Sequence, residues 1–216
     1  MRTRLPSDQE VDSLVSEGCS TGKTRCDNDI AAIRPLIRFI VYTGCRLGEA
    51  LHLEWDDIEE GVWQIRGKPN RPTANGMGWA PKWGMARSVH LFPEALEVLE
   101  TQLRNSRWVF PKPDGSRRDS VQGSWERLKE LHGLEDFQIT DLRTWISHVL
   151  KKRFGFTTKE VDAYIGHSSQ VNESHYDPIS LDLIVKKMGG RSVIVTQLLP
   201  ERENFTGPGI FGLVVN

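Results

Sequence analysis

The 216-residue chain has few cysteines, no long apolar run and almost no net charge, and each shortage removes a class of protein. Its three cysteines, Cys19, Cys26 and Cys45, are an odd number and contain no C-x-x-C pair. A complete disulfide framework is therefore excluded, and so is a zinc site of that spacing. Reduced thiols in a cytoplasm are the simplest reading. No window approaches twenty uninterrupted apolar residues, so no membrane-spanning helix is expected. The opening Met1-Arg2-Thr3-Arg4 has no apolar run behind its basic residues, so no secretory signal is expected either. A formal net charge of −1 argues against a protein that only coats nucleic acid. It leaves DNA binding open, because what matters there is how charge is distributed over one face. There is no H-E-x-x-H and no acidic metal cluster, and the six histidines are scattered. No metal or cofactor is expected, and a metal-dependent nuclease is disfavoured.

What is present is enough for a soluble globular domain with a proper core. Ser7 and Glu10 form a capping box ahead of Val11, Leu14 and Val15, which predicts a helix opening at Ser7. Ile30, Ile33, Ile37, Ile40 and Val41 follow a helical period. Pro35 within that pattern marks either a kink or an early start, and Gly44 marks the stop. A short helix is expected over 47–53. Residues 62–66 and 87–91 read as strands, joined by a Gly-, Pro- and Asn-rich connection over 67–84. A connection that long is often functional. Helices are then expected from Pro93 to about Leu103, over 119–132 and over 141–153. A second capping box, Thr157 with Glu160, opens another; two more should carry Tyr176 and span 181–188. The fold class is α+β, mostly helical, with a small antiparallel sheet near residues 62–91.

Basic residues cluster at Arg66, Lys68 and Arg71, at Lys82 and Arg87, and at Lys151, Lys152 and Arg153. Four short segments carry chemistry: Thr43-Gly-Cys-Arg46-Leu-Gly-Glu49; Lys82-Trp-Gly-Met-Ala-Arg87-Ser-Val-His-Leu91; Thr140-Asp141-Leu-Arg143; and Ile165-Gly-His167-Ser-Ser, with Tyr176 nine residues beyond the histidine. Two arginine forks suit the non-bridging oxygens of one phosphodiester, and the charge of a pentacoordinate transition state. A tyrosine can attack phosphorus and become a phosphotyrosine. Nearby cations favour its phenolate. A lysine can protonate the leaving oxygen. Taken singly, each residue has a plainer role. Arg46 with Glu49, and Arg143 beside Asp141, read as surface pairs; Tyr176 reads as a core-edge aromatic; His167 as a cap. Their order in one chain is what argues for function.

These four segments resemble the motifs of the tyrosine site-specific recombinases of the phage integrase type. T-G-C-R-L-G-E-A-L-x-L-x-W-x-D-I is similar to the family's first arginine box. K-W-G-M-A-R-S-V-H-L resembles its hairpin lysine motif, usually close to K-T-G-K-x-R-x-V-P-L. T-D-L-R-T-W-I-S-H resembles the second box, and I-G-H-S-S with Tyr176 resembles the nucleophile segment. The resemblance spans roughly residues 5–188. It implies that Arg46 and Arg143 clamp the scissile phosphate, Lys82 is the general acid, and His167 assists at the phosphate. Tyr176 is then the DNA-attacking nucleophile, with Glu49 and Asp141 in support. It also implies double-stranded DNA as partner, and a homotetramer on DNA that is weakly associated or monomeric without it. The setting would be a prokaryotic or phage-encoded protein at the nucleoid.

Three departures from the pattern stand out. Thr140 occupies a catalytic position where the family usually has histidine. Lys68, directly after the first strand, is the alternative to Lys82, which is preferred because Arg87, Val89 and Leu91 fall in register with it. The family's N-terminal core-binding domain is expected to be absent, so that 1–188 is a catalytic domain and 189–216 a tail suited to exchange between protomers. The alternative function is a catalytically weak or inactive DNA-binding remnant, and a type IB topoisomerase-like relaxase shares the same chemistry.

Overall fold

Reciprocal caps and left-handed glycines set the helices that carry the candidate residues. A computed structural model describes residues 4–16, 30–73, 76–84 and 86–166, together with 183, 186 and 187. Helix α1 (Asp8–Val15) opens as expected: the Ser7 amide donates to Glu10 Oε2 at 2.8 Å and the Glu10 amide to Ser7 Oγ at 3.3 Å. Two N–H groups with no partner inside the helix are thereby satisfied. Helix α2 (Arg34–Thr43) has Pro35 in its first turn, where the missing N–H removes no hydrogen bond. Pro35 is thus a start, not a kink. Leu36, Ile37, Phe39, Ile40 and Val41 are all buried, so α2 is central to the core. It ends at Gly44, whose φ is +62°; a Cβ there would lie 2.7 Å from Ile146 and 2.9 Å from Ile165. Handedness and space both require glycine at that position.

Helix α3 (Leu47–Leu51) and a 3-10 turn at Trp55–Asp57 lead into the strands. Strands β1 (Ile58–Glu59), β2 (Val62–Ile65) and β5 (Arg87–His90) form an antiparallel sheet in the order β1-β2-β5. The turn between β1 and β2 holds Glu60 and Gly61 at φ +47° and +75°, the double positive φ of a tight hairpin. At two residues β1 is too short to show alternation, and the sequence does not reveal it. The β2–β5 register pairs Trp63 with Val89 and Ile65 with Arg87. Trp63, Ile65 and Val89 are buried, and the Trp63 ring lies 5.4 Å from that of Phe39 on α2.

The segment expected as a plain connection has structure of its own. Strands β3 (Lys68–Pro72) and β4 (Gly78–Trp79) pair as an antiparallel ribbon, followed by a 3-10 turn at Lys82–Gly84. Its proline and glycine content hides it from any period-2 pattern, and cross-strand pairing and side-chain anchors hold it instead.

The remaining described helices are α4 (Pro93–Glu100), α5 (Gln122–Leu131), α6 (Ile139–Phe154) and α7 (Thr158–Ile165). α4 stops short of Leu103, which is 75% exposed, and Leu131 is also largely exposed. Both continue the apolar helical period of their segments, and each lies at or beyond the end of its helix. α5 begins at Gln122 instead of near Asp119. α6 begins earlier than expected because the Asp141 carboxylate accepts from the Gln138 amide at 2.9 Å and so caps the first turn. The second capping box forms as expected at Thr157 and Glu160.

α2 packs against α1, α4 and α6, and α6 against α7. Tyr164 on α7 donates to the His90 carbonyl at 2.8 Å, tying the helices to the sheet. The protein is therefore mostly helical with small antiparallel sheets, as the sequence predicts. Of the helix expected over 181–188, Leu183, Lys186 and Lys187 are helical. His167, Tyr176, the tail 189–216, Cys19 and Cys26 lie outside the described residues. No described helix is long and apolar enough to cross a membrane.

Candidate functional site

The left-handed turn at Gly44 brings the chain directly from α2 into α3, with Arg46 as the residue before the helix. The Arg46 amide donates to Glu49 Oε2 at 2.9 Å and its guanidinium to Oε1 at 3.1 Å. The same guanidinium donates to the Gly166 carbonyl. Arg143, in the second turn of α6, donates to the carbonyls of Gly44 and, at 3.0 Å, of Ile165. Arg87 enters from β5 and grips both oxygens of Glu49, at 2.9 and 2.7 Å. It also donates to the carbonyls of Tyr164 (3.3 Å) and Ile165 (3.2 Å).

Three guanidinium groups from three elements thus gather at the C-terminal end of α7, and two of them, Arg46 and Arg87, bond the Glu49 carboxylate. The last carbonyls of a helix have no partner within it and carry partial negative charge, which suits cationic donors. Among the described residues, three arginines against one glutamate leave a surplus of two positive charges in a largely buried place.

The titration behaviour reflects this crowding. Burial by itself would raise the Glu49 carboxyl, but the hydrogen bonds and charge of Arg87, then Arg46, hold it below its ordinary value. Arg143 is pushed down to about 10, first by burial and then by the neighbouring Arg46 charge. The Cys45 thiol beside them is pushed up to about 12, by burial and then by Glu49. It is therefore a neutral, inert thiol here.

The other sequence candidates fall in three places. Thr140 is exposed on the first turn of α6, its hydroxyl 3.5 Å from Gln138 Oε1. Asp141 is buried and serves as the cap of α6. Lys82 opens the 3-10 turn before β5 and is exposed. Lys68 is elsewhere and enclosed. Its ammonium donates to the His52 carbonyl at 2.6 Å and to Asp57, and lies 3.3 Å from Glu54. Arg71 completes that cluster with two bonds to Glu54, at 2.9 and 3.2 Å, and Trp79 stacks on His52 at 4.6 Å. The chain leaves toward His167 and Tyr176 from Gly166, the residue whose carbonyl Arg46 holds.

Comparison with known proteins bears on this arrangement. The family model described as the phage integrase family matches residues 7–178. The chain belongs to the phage integrase family. It is 29% identical over 136 residues to the integrase of Salmonella phage P22, covering 55% of this chain but 32% of that protein. The chain thus spans about a third of that relative's length. Its fold is similar to the lambda integrase catalytic core, with a TM-score of 0.53 at 15% identity over 77% of this chain and 96% of that one. It is also similar to a lambda integrase in a tetramer bound to a Holliday junction, with a TM-score of 0.54 at 13% identity over 83% and 50% of the two chains. The chain has a tyrosine-recombinase catalytic fold within this family.

Arg87 is the member of the cluster that reading the motifs used only as a register marker. One signal pointed to it. Arg87 and Val89 stand on the same face of a strand, and Val89 is a core residue. A charged side chain on an inward face must have a partner.

Proposed function

We propose that this integrase-family protein is a site-specific DNA recombinase that cuts and rejoins strands through a 3′-phosphotyrosine. The observation that carries the reading is the placement of the Arg46 and Arg143 guanidinium groups on adjacent carbonyls, Gly166 and Ile165, with a surplus of positive charge. Two preorganised forks so placed suit one phosphodiester and the extra negative charge of its transition state. A bound phosphate would also offset the burial and mutual repulsion that push Arg143 down.

In this reading the Tyr176 phenolate oxygen attacks phosphorus and the bond to the 5′-oxygen breaks. Lys82 gives that oxygen its proton, leaving a free 5′-hydroxyl. His167 assists at a non-bridging oxygen. A 5′-hydroxyl from a second duplex then attacks the phosphotyrosine, returns its proton to Lys82 and releases the Tyr176 phenolate. One phosphoester is exchanged for another at each step, so no ATP is required. Of the two lysines, Lys82 suits the acid role, because the Lys68 ammonium is occupied by Glu54 and Asp57. Exchange needs two duplexes, and the tetrameric lambda integrase on a Holliday junction supports a DNA-bound tetramer here. Residues 1–188 would form the catalytic domain, and 189–216 a segment that packs on a neighbouring protomer.

A pool of nicked duplexes with randomised arms tests this. The protein should capture a subset as covalent adducts, and Tyr176→Phe should capture none. A wild-type protein that binds the pool in a salt-dependent way and never forms the adduct would instead favour a second reading, an inactive DNA-binding remnant. Thr140 motivates that alternative, since a hydroxyl cannot carry charge where the family usually has an imidazole.

A further inference from the structure

Arg87 does more than pair with a buried acid. Its guanidinium takes both oxygens of Glu49, and two carbonyls of α7 occupy further donors. Its side chain is only 12% exposed and that of Glu49 2%. A Cβ on Gly166 would lie 2.6 Å from the Arg87 Cζ, so the guanidinium fills the space against the chain just before His167. Among the described residues, the other cation bonded to Glu49 is the Arg46 guanidinium at 3.1 Å, and Glu49 already holds the Arg46 amide.

A carboxylate this buried cannot turn to water for compensation. With Arg87 removed, its remaining charge partner is Arg46. The Arg46 fork would then be drawn onto Glu49, and the positive surplus of the cluster would fall from two charges to one. A phosphodiester carries one negative charge and gains more at the transition state, so the loss would be felt most there.

We infer that Arg87 is a positioning residue for strand cleavage: by occupying both oxygens of Glu49 it leaves the Arg46 fork available to the scissile phosphate. The inference rests on the recombinase reading above. It makes a prediction that a purely packing role does not. If Arg87 acts by neutralising Glu49, then removing the Glu49 charge should repair the loss of Arg87.

The test is single-turnover adduct formation by the full chain, on a nicked duplex captured by the wild-type protein, with DNA concentration varied to separate maximal rate from half-saturation. Arg87→Gln should lower the maximal rate about 100-fold, the scale of one lost transition-state donor. The double variant Arg87→Gln/Glu49→Gln should be at least about tenfold faster than Arg87→Gln, within that same scale. A double variant equal to or slower than the single one overturns the inference, since two packing losses can only add. Should Arg87→Gln fail to fold, as judged by its thermal melt, Arg87→Met and Arg87→Met/Glu49→Gln replace the pair with the same ordering expected. Wild-type adduct with undiminished Arg87→Gln activity overturns this inference alone. No wild-type adduct overturns the recombinase reading, and this one with it.

Discussion

Two ionic clusters stand a few residues apart in this chain and are built on opposite accounts. Around the inserted ribbon, Glu54 and Asp57 face the enclosed Lys68 and the partly exposed Arg71 at close range, with the largely exposed Arg66 3.9 Å from Asp57 at the rim. Around Gly166, among the described residues, a single acid, Glu49, is bonded by Arg46 and Arg87, with Arg143 close enough to feel its charge. The first is balanced among its close-bonded groups, Lys68 and Arg71 against Glu54 and Asp57; it fastens β3 to the turn at Trp55–Asp57. The second is unbalanced toward positive charge, and its arginines are held by main-chain carbonyls that cannot neutralise them. A balanced buried cluster acts as a fastening, whereas an unbalanced one suits a ligand of opposite charge. Lys68 belongs to the first cluster, whereas Lys82, the lysine that the strand register favours, lies outside it on the 3-10 turn before β5.

The comparison can be broken in several ways, the largest expected effect first. Lys82→Ala should slow adduct formation by about 10²–10⁴, the usual worth of a general acid. A substrate with sulfur in place of the bridging 5′-oxygen should restore most of the rate, because a thiolate leaves without needing a proton. Lys68→Ala should show no such rescue; if sulfur rescues Lys68→Ala and not Lys82→Ala, the assignment is reversed. Arg143→Ala should cost about 10²–10³ in cleavage rate. Filter binding at fixed salt should show a far smaller loss of affinity for uncleaved duplex.

Stability should respond in the opposite pattern. Lys68→Ala leaves the buried Glu54 with Arg71 and the buried Asp57 with only the solvent-facing Arg66 at 3.9 Å, and should destabilise the fold by about 3 kcal/mol. That corresponds to a melting shift of roughly 6–12 °C for a chain of this size. An unchanged melting temperature would mean the ribbon is not fastened by charge.

The smallest effect concerns pH. The Glu49 carboxyl is lowered in the folded state, so its contribution is present above the ordinary carboxylate value of about 4.3 and is lost as pH falls through the lower folded value. Urea unfolding followed from pH 6 down to 3 should therefore be less acid-sensitive in Glu49→Gln than in the wild type. Equal slopes would remove Glu49 from the account.

Much of the scaffold was legible because its signals are local. Ser7 with Glu10 and Thr157 with Glu160 each announce a helix start within four residues. Gly44 announces a stop, and Trp63, Ile65 and Val89 show their strands by alternation. The errors lie where local signals end. Leu103 and Leu131 continue a helical period past the point where the helix still faces the core. The ribbon of β3 and β4 has no period to read, because its prolines and glycines are tolerated only by its pairing and its ionic anchors. At the site, Arg46, Glu49 and Arg143 could be singled out by motif. That Arg87 shares their carboxylate could not, since it depends on the β2–β5 register bringing it across to α3 and α7.

By itself the sequence determined the family, the helix boundaries at its caps, and the identity of the chemical groups, because each of these is encoded within a few neighbouring residues. Tertiary structure alone decided which charges neutralise which. Glu49 meets Arg87 across 38 positions, and Arg143 meets Gly44 across 99. Coulombic balance is a property of what is near in space, and only folding makes those residues near.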